Sequence, residues 1–322
     1  MGKYVLRRLL LFIPTLLGAS VFVFLMMRVA PGDYADVMAM ELQEALVSPA
    51  EVQLATARWR AELGLDRPIY VQYVKWVGGF ARGDFGYSFV TQEPVTKIFL
   101  ARIGPTIQLA IMAVVLLYLW ALPLGVLSAL KPNSLLDHGA RMFAVFGLSL
   151  PSFWIGVMIL FALVNITGSL PSIVRPSLLA DPLGNLNKMI WPALTLAFSG
   201  GAGIVRLTRS QMLEVLREDY IRTAYSKGLS PRVVMVRHAL RNALIPVITI
   251  SGIQLGHLLA GAVIIEAVFN IQGIGTGLID GIRYRDYDVV GWFILFFSTV
   301  FLCITLLVDM LYAVIDPRIR YT

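Results

Sequence analysis

The side chains able to do chemistry are few and scattered. The single cysteine, Cys303, excludes an internal disulfide and any cysteine-ligated metal cluster, and its apolar surroundings read as a small filler in a membrane helix. His138, His238 and His257 stand in no HxxH or HExxH frame, so their spacing points to no metal site. No nucleophile–base pair, Walker sequence or dinucleotide fingerprint emerges, and Gly83-Asp84-Phe85-Gly86 is no phosphate cradle without a GxxxxGK[ST] frame. The chain is therefore expected not to be an enzyme, and to hold no cofactor of its own.

What remains is polar chemistry inside apolar runs. Ser251, Gln254, His257 and Gly261 recur every three to four residues and make one weakly polar helix face. That face is either the lining of a water-filled path or a hydrogen-bond seam between helices. Glu266 closes an apolar run and Asp309 sits near the end of another, and an intramembrane carboxylate is a functional candidate by default. Both lie near interfaces, where they also serve as structural anchors. Ser199-Gly200-Gly201-Ala202-Gly203 with Gly252, Gly256 and Gly261 permits close helix approach or a pore that passes bulky cargo.

The densest polar stretch is Arg217–Pro246, REDYIRTAYSKGLSPRVVMVRHALRNALIP, which lies between two apolar runs. Burying Arg217, Arg222, Lys227, Arg232, Arg237 and Arg241 in hydrocarbon would cost roughly 2.5–3.5 kcal/mol each, so the stretch stays at the membrane surface. Tyr220–Lys227 has no breaker and predicts a helix, and Gly228 is a left-handed stop. Ser230-Pro231 supplies an N-cap and first-turn proline for a second short helix, which Pro246 limits. The pattern is a basic helix–Gly–helix module.

The elements that must position these residues are membrane helices. Hydrophobic residues make up 57% of the 322 positions and charged ones 15%, against roughly 25% in soluble proteins. Six apolar runs are long enough to cross: 9–27, 103–130, 142–170, 189–205, 242–265 and 289–308. Residues 29–104 form the one sizeable polar region. There Ser48-Pro49-Ala50-Glu51 opens a helix that Gly64 ends, and Ile69–Phe80 repeats apolar and aromatic residues at helical spacing. Residues 206–241 carry eight basic residues against Glu214, Glu218 and Asp219, which places this segment and both termini inside. The expected fold is an all-α polytopic membrane protein, one domain over 1–322, with six transmembrane helices and a helical extracytoplasmic insertion at 29–104 between helices 1 and 2. The net charge of +7 is read as topology signal, with no nucleic-acid partner.

Ala224, Gly228 and the helix–Gly–helix layout resemble the cytoplasmic Glu-Ala-Ala…Gly loop of bacterial ABC importer permeases, although Arg222 and Thr223 replace the Glu and first Ala. Many such permeases have Pro thirteen residues after the Gly, where this chain has Arg241. The phrasing YIRTAYSKGLSPRVV…RHALRNALIP, with YVLRRLLLFIP at the start and DPRIR at the end, is similar to the first (B-type) membrane subunit of dipeptide and oligopeptide permeases. The resemblance spans nearly the whole chain. It implies a type I ABC importer permease in the bacterial cytoplasmic (inner) membrane. The implied partners are a homologous second (C-type) permease, two cytoplasmic subunits that bind ATP and Mg, and an extracytoplasmic solute-binding protein. It also implies a coupling loop at 217–246 in which Tyr220, Ile221, Ala224 and Tyr225 pack into the motor. Arg222 and Lys227 would meet acidic rims, with Thr223 and Leu229 in the same segment and Gly228 reversing the chain. Similar permeases carry dipeptides, oligopeptides, glutathione, nickel chelates or oligosaccharides.

Two other classes compete. An ion-coupled secondary transporter would place acids at mid-span and often use broken helices, yet the mid-span positions here are almost free of ionisable groups. A membrane-anchored enzyme would need a catalytic constellation within 29–104, and none is evident there.

Overall fold

Within a bilayer every backbone N–H and C=O must find an internal partner, so long apolar runs of this kind fold as helices. A computed structural model of the chain describes residues 2–29, 34–44, 48–88, 90–168, 176 and 178–315. In chain order its elements are α1 (Gly2–Val29), α2 (Tyr34–Glu44), α3 (Pro49–Leu63), α4 (Ile69–Arg82), the strands β1 (Tyr87–Ser88) and β2 (Glu93–Pro94), and α5 (Val95–Leu130). There follow α6 (Leu135–Ser149), α7 (Ser152–Thr167), α8 (Pro182–Val215), α9 (Asp219–Ser226), α10 (Pro231–Val233), a π-helical turn (Val234–Leu240), α11 (Arg241–Val268), α12 (Ile274–Arg283) and α13 (Tyr287–Ile315).

Among the described residues, five helical stretches are long and apolar enough to cross a membrane: Arg8–Val29, Val95–Leu130, Pro182–Val215, Pro231–Val268 and Tyr287–Val308. The sixth expected span is not one helix. α6 and α7 meet at a 103° bend. Leu150 is extended at φ −93°, ψ 130°, because the ring of Pro151 disfavours helical backbone in the residue before it. At about 1.5 Å per residue each half is roughly 22–24 Å long, short of the roughly 30 Å hydrocarbon core.

A second expectation also fails. Pro246 does not limit a short second helix, since α11 runs through it to Val268 and forms one stretch with α10 and the π turn. Proline removes one N–H inside a helix, a defect that membrane helices tolerate when neighbouring groups re-satisfy the freed carbonyl.

The chain divides into two compact units, one of residues 1–8, 105–271 and 301–322, the other of 9–104 and 272–300. Residues 29–104 thus share a unit with α12 and the start of α13. In that second unit the face of α1 carrying Ser20, Val23, Phe24 and Met27 is buried. The Ser20 and Tyr73 hydroxyls are 2.9 Å apart. Trp292 stacks on Phe80 at 4.7 Å and meets Phe85 edge-on at 4.4 Å. The expected start of α3 is present: Ser48 and Glu51 form a reciprocal capping box, and Gly64 ends the helix at φ +68°. The β1–β2 hairpin, antiparallel with Ser88 opposite Glu93, was not anticipated.

In the first unit α8 is the central element. Its buried face includes Met189, Ala193, Ala197, Gly200, Gly201, Ile204, Thr208 and Met212, and it packs with α6, α7 and α11. The side chain of Asp309, and the residues Ser177 and Asp316-Pro317-Arg318, lie outside what the structure describes.

Candidate functional site

Beyond Val215 the chain turns and forms α9, eight residues whose two faces differ sharply. Ile221 and Ala224, one turn apart, are buried at 1% and 5% exposure. They belong to an apolar cluster with Ala129 of α5, Met212 of α8, Val234 and Ala239 of the π turn, and Ala243 of α11. The opposite face is open to solvent: Arg222, Thr223 and Lys227 are exposed, as are Tyr220, Tyr225 and Leu229. Arg222 reaches Asp219 at 3.4 Å, an exposed pair that adds little stability.

The joint after α9 has the predicted geometry. Gly228 sits at φ +78°, its N–H donates to Tyr225 O at 2.9 Å, and Leu229 N–H donates to Ala224 O at 3.4 Å. A Cβ built there would meet nothing within 4 Å, so backbone conformation and not space selects glycine. Ser230 then precedes Pro231 with extended backbone, although its side chain makes no capping bond. The π turn follows directly and leads into α11.

This arrangement corrects the roles expected of two residues. Ile221 and Ala224 are anchors inside the protein and are not free to pack into another subunit. The resemblance implied that Ile221 and Ala224 pack into the motor, but apolar residues one turn apart suit an internal contact as well as an external one. The exposed face is what remains: Tyr220, Arg222, Thr223, Tyr225, Lys227 and Leu229.

A cluster just behind this module went unrecognised in the sequence. Asp137, on the first turn of α6, is fully buried. Its carboxylate accepts from Ser128 Oγ at 2.6 Å and from the Asn133 backbone N–H at 2.9 Å. Arg209 Nε and Nη2 donate to its two oxygens at 2.6 and 2.8 Å, and Arg141 lies 3.6 Å away. A bidentate guanidinium–carboxylate pair of this kind is strong and directional. Ser134-x-x-Asp137 was legible as a helix start, but nothing in the sequence links it to Arg209, 72 residues on.

Among the described residues no three His, Cys, Asp or Glu side chains come together as a metal site would require. The module is an amphipathic helix with an anchored side, an exposed side and a left-handed glycine stop. Residues 121–321 match the family described as "Binding-protein-dependent transport system inner membrane component", and residues 1–110 match the N-terminal family of the same transport systems. The chain belongs to this family. It is 42% identical to the di/tripeptide transport system permease protein DppB of Pseudomonas aeruginosa, over 100% of this chain and 99% of that one. It is 37% identical to the oligopeptide transport system permease protein AppB of Bacillus subtilis, over all of both chains. A chain from the crystal structure of an amino acid ABC transporter with histidines aligns at TM-score 0.51 and 14% identity, covering 69% of this chain and 94% of that one. That likeness concerns the fold.

The residues named for a pore do not gather into one lining in this permease. Ser251 donates back to Val247 O at 2.6 Å within α11. Gln254 reaches across to the Gly200 carbonyl of α8 at 3.1 Å, which is a helix–helix seam. His257 is exposed. Glu266 is fully buried and accepts from Thr106 Oγ1 at 2.6 Å, so it is a pairing residue at the junction of α5 and α11. Most of the small residues are close contacts too. A Cβ at Gly201 would fall on the Trp120 ring, one at Gly256 on the Phe301 ring, and one at Gly252 within 2.9 Å of Val308. Of the glycines in the Ser199–Gly203 run, only Gly203 has open space where a Cβ would stand.

Proposed function

We propose that this permease is the B-type membrane subunit of an ATP-driven importer of short peptides. The observation that carries the reading is its end-to-end match to peptide permeases, over 100% of this chain and 99% and 100% of theirs. In this account a homologous C-type permease completes the pore and a solute-binding protein delivers cargo from outside. Two ATP-binding subunits hold the ATP and Mg, and one of them docks on α9 of this chain. The membrane is the bacterial cytoplasmic membrane, with α9 and both termini inside, as the eight basic residues of 206–241 favour.

The chemistry of the cycle belongs to the motor, and this chain supplies leverage. Tyr220, Tyr225 and Leu229 offer apolar and aromatic area, and Arg222 and Lys227 offer positive charge to an acidic cleft. Ile221 and Ala224 pass the displacement inward, and Gly228 lets α9 pivot against the α10–α11 stretch. The motor can shift the gate only by as much as its affinity for α9 differs between its nucleotide states.

The test is uptake of labelled dialanine, a pentapeptide and glutathione by the four-subunit complex in proteoliposomes, with the binding protein supplied outside. Uptake of one or both unmodified peptides, dependent on enclosed ATP and insensitive to collapsed proton and sodium gradients, is expected. Gradient-driven uptake without ATP would sink the mechanism. Uptake of glutathione alone would sink the cargo assignment and leave the mechanism standing. In sealed cells, Ser48→Cys in a Cys303→Ser background should label with an impermeant thiol reagent and Ser230→Cys should not. The reverse pattern would invert the orientation.

A further inference from the structure

The buried Asp137 cluster lies immediately behind the anchor of α9, on the same helices. Ser128, which donates to Asp137, is followed by Ala129, a member of the cluster that buries Ile221 and Ala224. Arg209, which grips both Asp137 oxygens, lies three residues before Met212, another member of that cluster. The carboxylate therefore joins the last turn of α5, the Asn133 turn, the first turn of α6 and the end of α8, and next to this joint sits the lever.

We propose that Asp137 is a positioning residue for energy coupling, which clamps the ends of α5, α6 and α8 into one body so that movement of α9 displaces all three together. The apolar cluster transmits displacement normal to its surface, but Ala129, Ala224, Ala239 and Ala243 are small and offer little resistance to sliding. Resistance to sliding needs directional bonds. The Asp137 carboxylate supplies them, because four donors from three elements fix both its oxygens, and the guanidinium plane sets the orientation of α8. Cut that joint and α9 should still carry the motor, while its movement reaches α8 without α5 and α6.

This inference rests on the proposed ATP-driven function, and the experiment separates the two. The complete complex carries Asp137→Asn, Ser128→Ala or Arg209→Lys, and both ATP hydrolysed and peptide taken up are measured in proteoliposomes. Asp137→Asn should keep motor association and basal hydrolysis, while peptide moved per ATP falls on the order of fivefold or more, the span of typical coupling energies. Ser128→Ala, which deletes one donor, should give a smaller fall. Arg209→Lys, which keeps charge but loses the fork, should fall between them. Combining Asp137→Asn with Arg209→Lys should add little to the first. A merely structural role would lower the amount of complex and leave the ratio untouched, and an unchanged ratio in all assembled variants overturns the proposal. If Asp137→Asn does not assemble, a wild-type ratio in Ser128→Ala and Arg209→Lys overturns it equally. If the unaltered complex moves no peptide with ATP, the functional reading fails first.

Discussion

The phenol oxygen of Tyr220 accepts a hydrogen bond from Asn242 Nδ2 at 2.9 Å, tying the first turn of α9 to the first turn of α11. Two ends of one sequence module, 22 residues apart, are thereby latched across the π turn. Asn242 also donates to His238 O at 3.0 Å, so its amide is held from both sides.

Tyr220→Phe removes this latch and keeps the ring. The bond is solvent-exposed, so its loss should cost no more than about 0.5–1.5 kcal/mol, and the amount of permease in the membrane should be unchanged. Hydrogen exchange across 219–226 should accelerate. Unchanged exchange would mean that the apolar anchor alone holds α9.

At Gly228 the expected order of damage follows backbone conformation, because space is free around it. Gly228→Asn should be mildest, Gly228→Ala intermediate and Gly228→Val worst, with strain of roughly 1–3 kcal/mol for a β-branched residue. Cargo-stimulated ATP hydrolysis is the readout. Equal rates for the Asn and Val variants would remove the left-handed joint from the mechanism.

Small residues along α8 and α11 divide into packed and unpacked positions. Gly256→Leu and Gly201→Leu should lower thermal stability of the purified permease, since each side chain would collide with an aromatic ring. Gly203→Leu should leave stability unchanged. Stability loss from Gly203→Leu with tolerance at Gly256 would restore the pore-lining reading of this stripe.

Much of this was legible beforehand and some was not, for reasons visible at single residues. Helix ends with local signals came out as read: Ser48 with Glu51, Gly64 and Gly228 all act within one turn of sequence. The bend at Leu150-Pro151 carried the same kind of signal, but an uninterrupted apolar run masked it. Pro246 misled in the opposite way, because its breaking tendency is overridden once α11 packs against α8. The Arg209–Asp137 and Gln254–Gly200 contacts join residues far apart in sequence, and no period or spacing encodes them. The resemblance named Ile221 and Ala224 as packing residues, but their spacing does not say which body their face meets.

Burial raises the pKa of Asp286, partly offset by the hydrogen bond from Ser88 and by backbone bonds from Val289 and Val90. A carboxylic acid with a raised folded-state pKa binds more protons when folded than when unfolded. Stability of its surroundings is then greatest at acid pH and is lost as pH rises from the unfolded value through the folded one. The β1–β2 hairpin, held to Asp286 by Ser88, should therefore show faster hydrogen exchange at neutral pH than at about pH 4, the ordinary aspartate value, after correction for intrinsic rates. Asp286→Asn should weaken that dependence, although Asp288 also accepts from the Tyr87 N–H of the hairpin. A hairpin equally protected at both pH values would show that Asp286 does not titrate with it.

The account stands or falls on which side of α9 meets the motor. In a Cys303→Ser background, Tyr225→Cys and Ala224→Cys place single thiols on the exposed and buried faces of adjacent residues. A bifunctional thiol–amine reagent applied to the assembled complex should join Tyr225→Cys to an ATP-binding subunit. Ala224→Cys should remain uncoupled in a complex that is still fully formed. Cross-links from Ala224→Cys, or none from Tyr225→Cys, would contradict the central claim that the Asp219–Ser226 helix is anchored by Ile221 and Ala224 and driven through its opposite face.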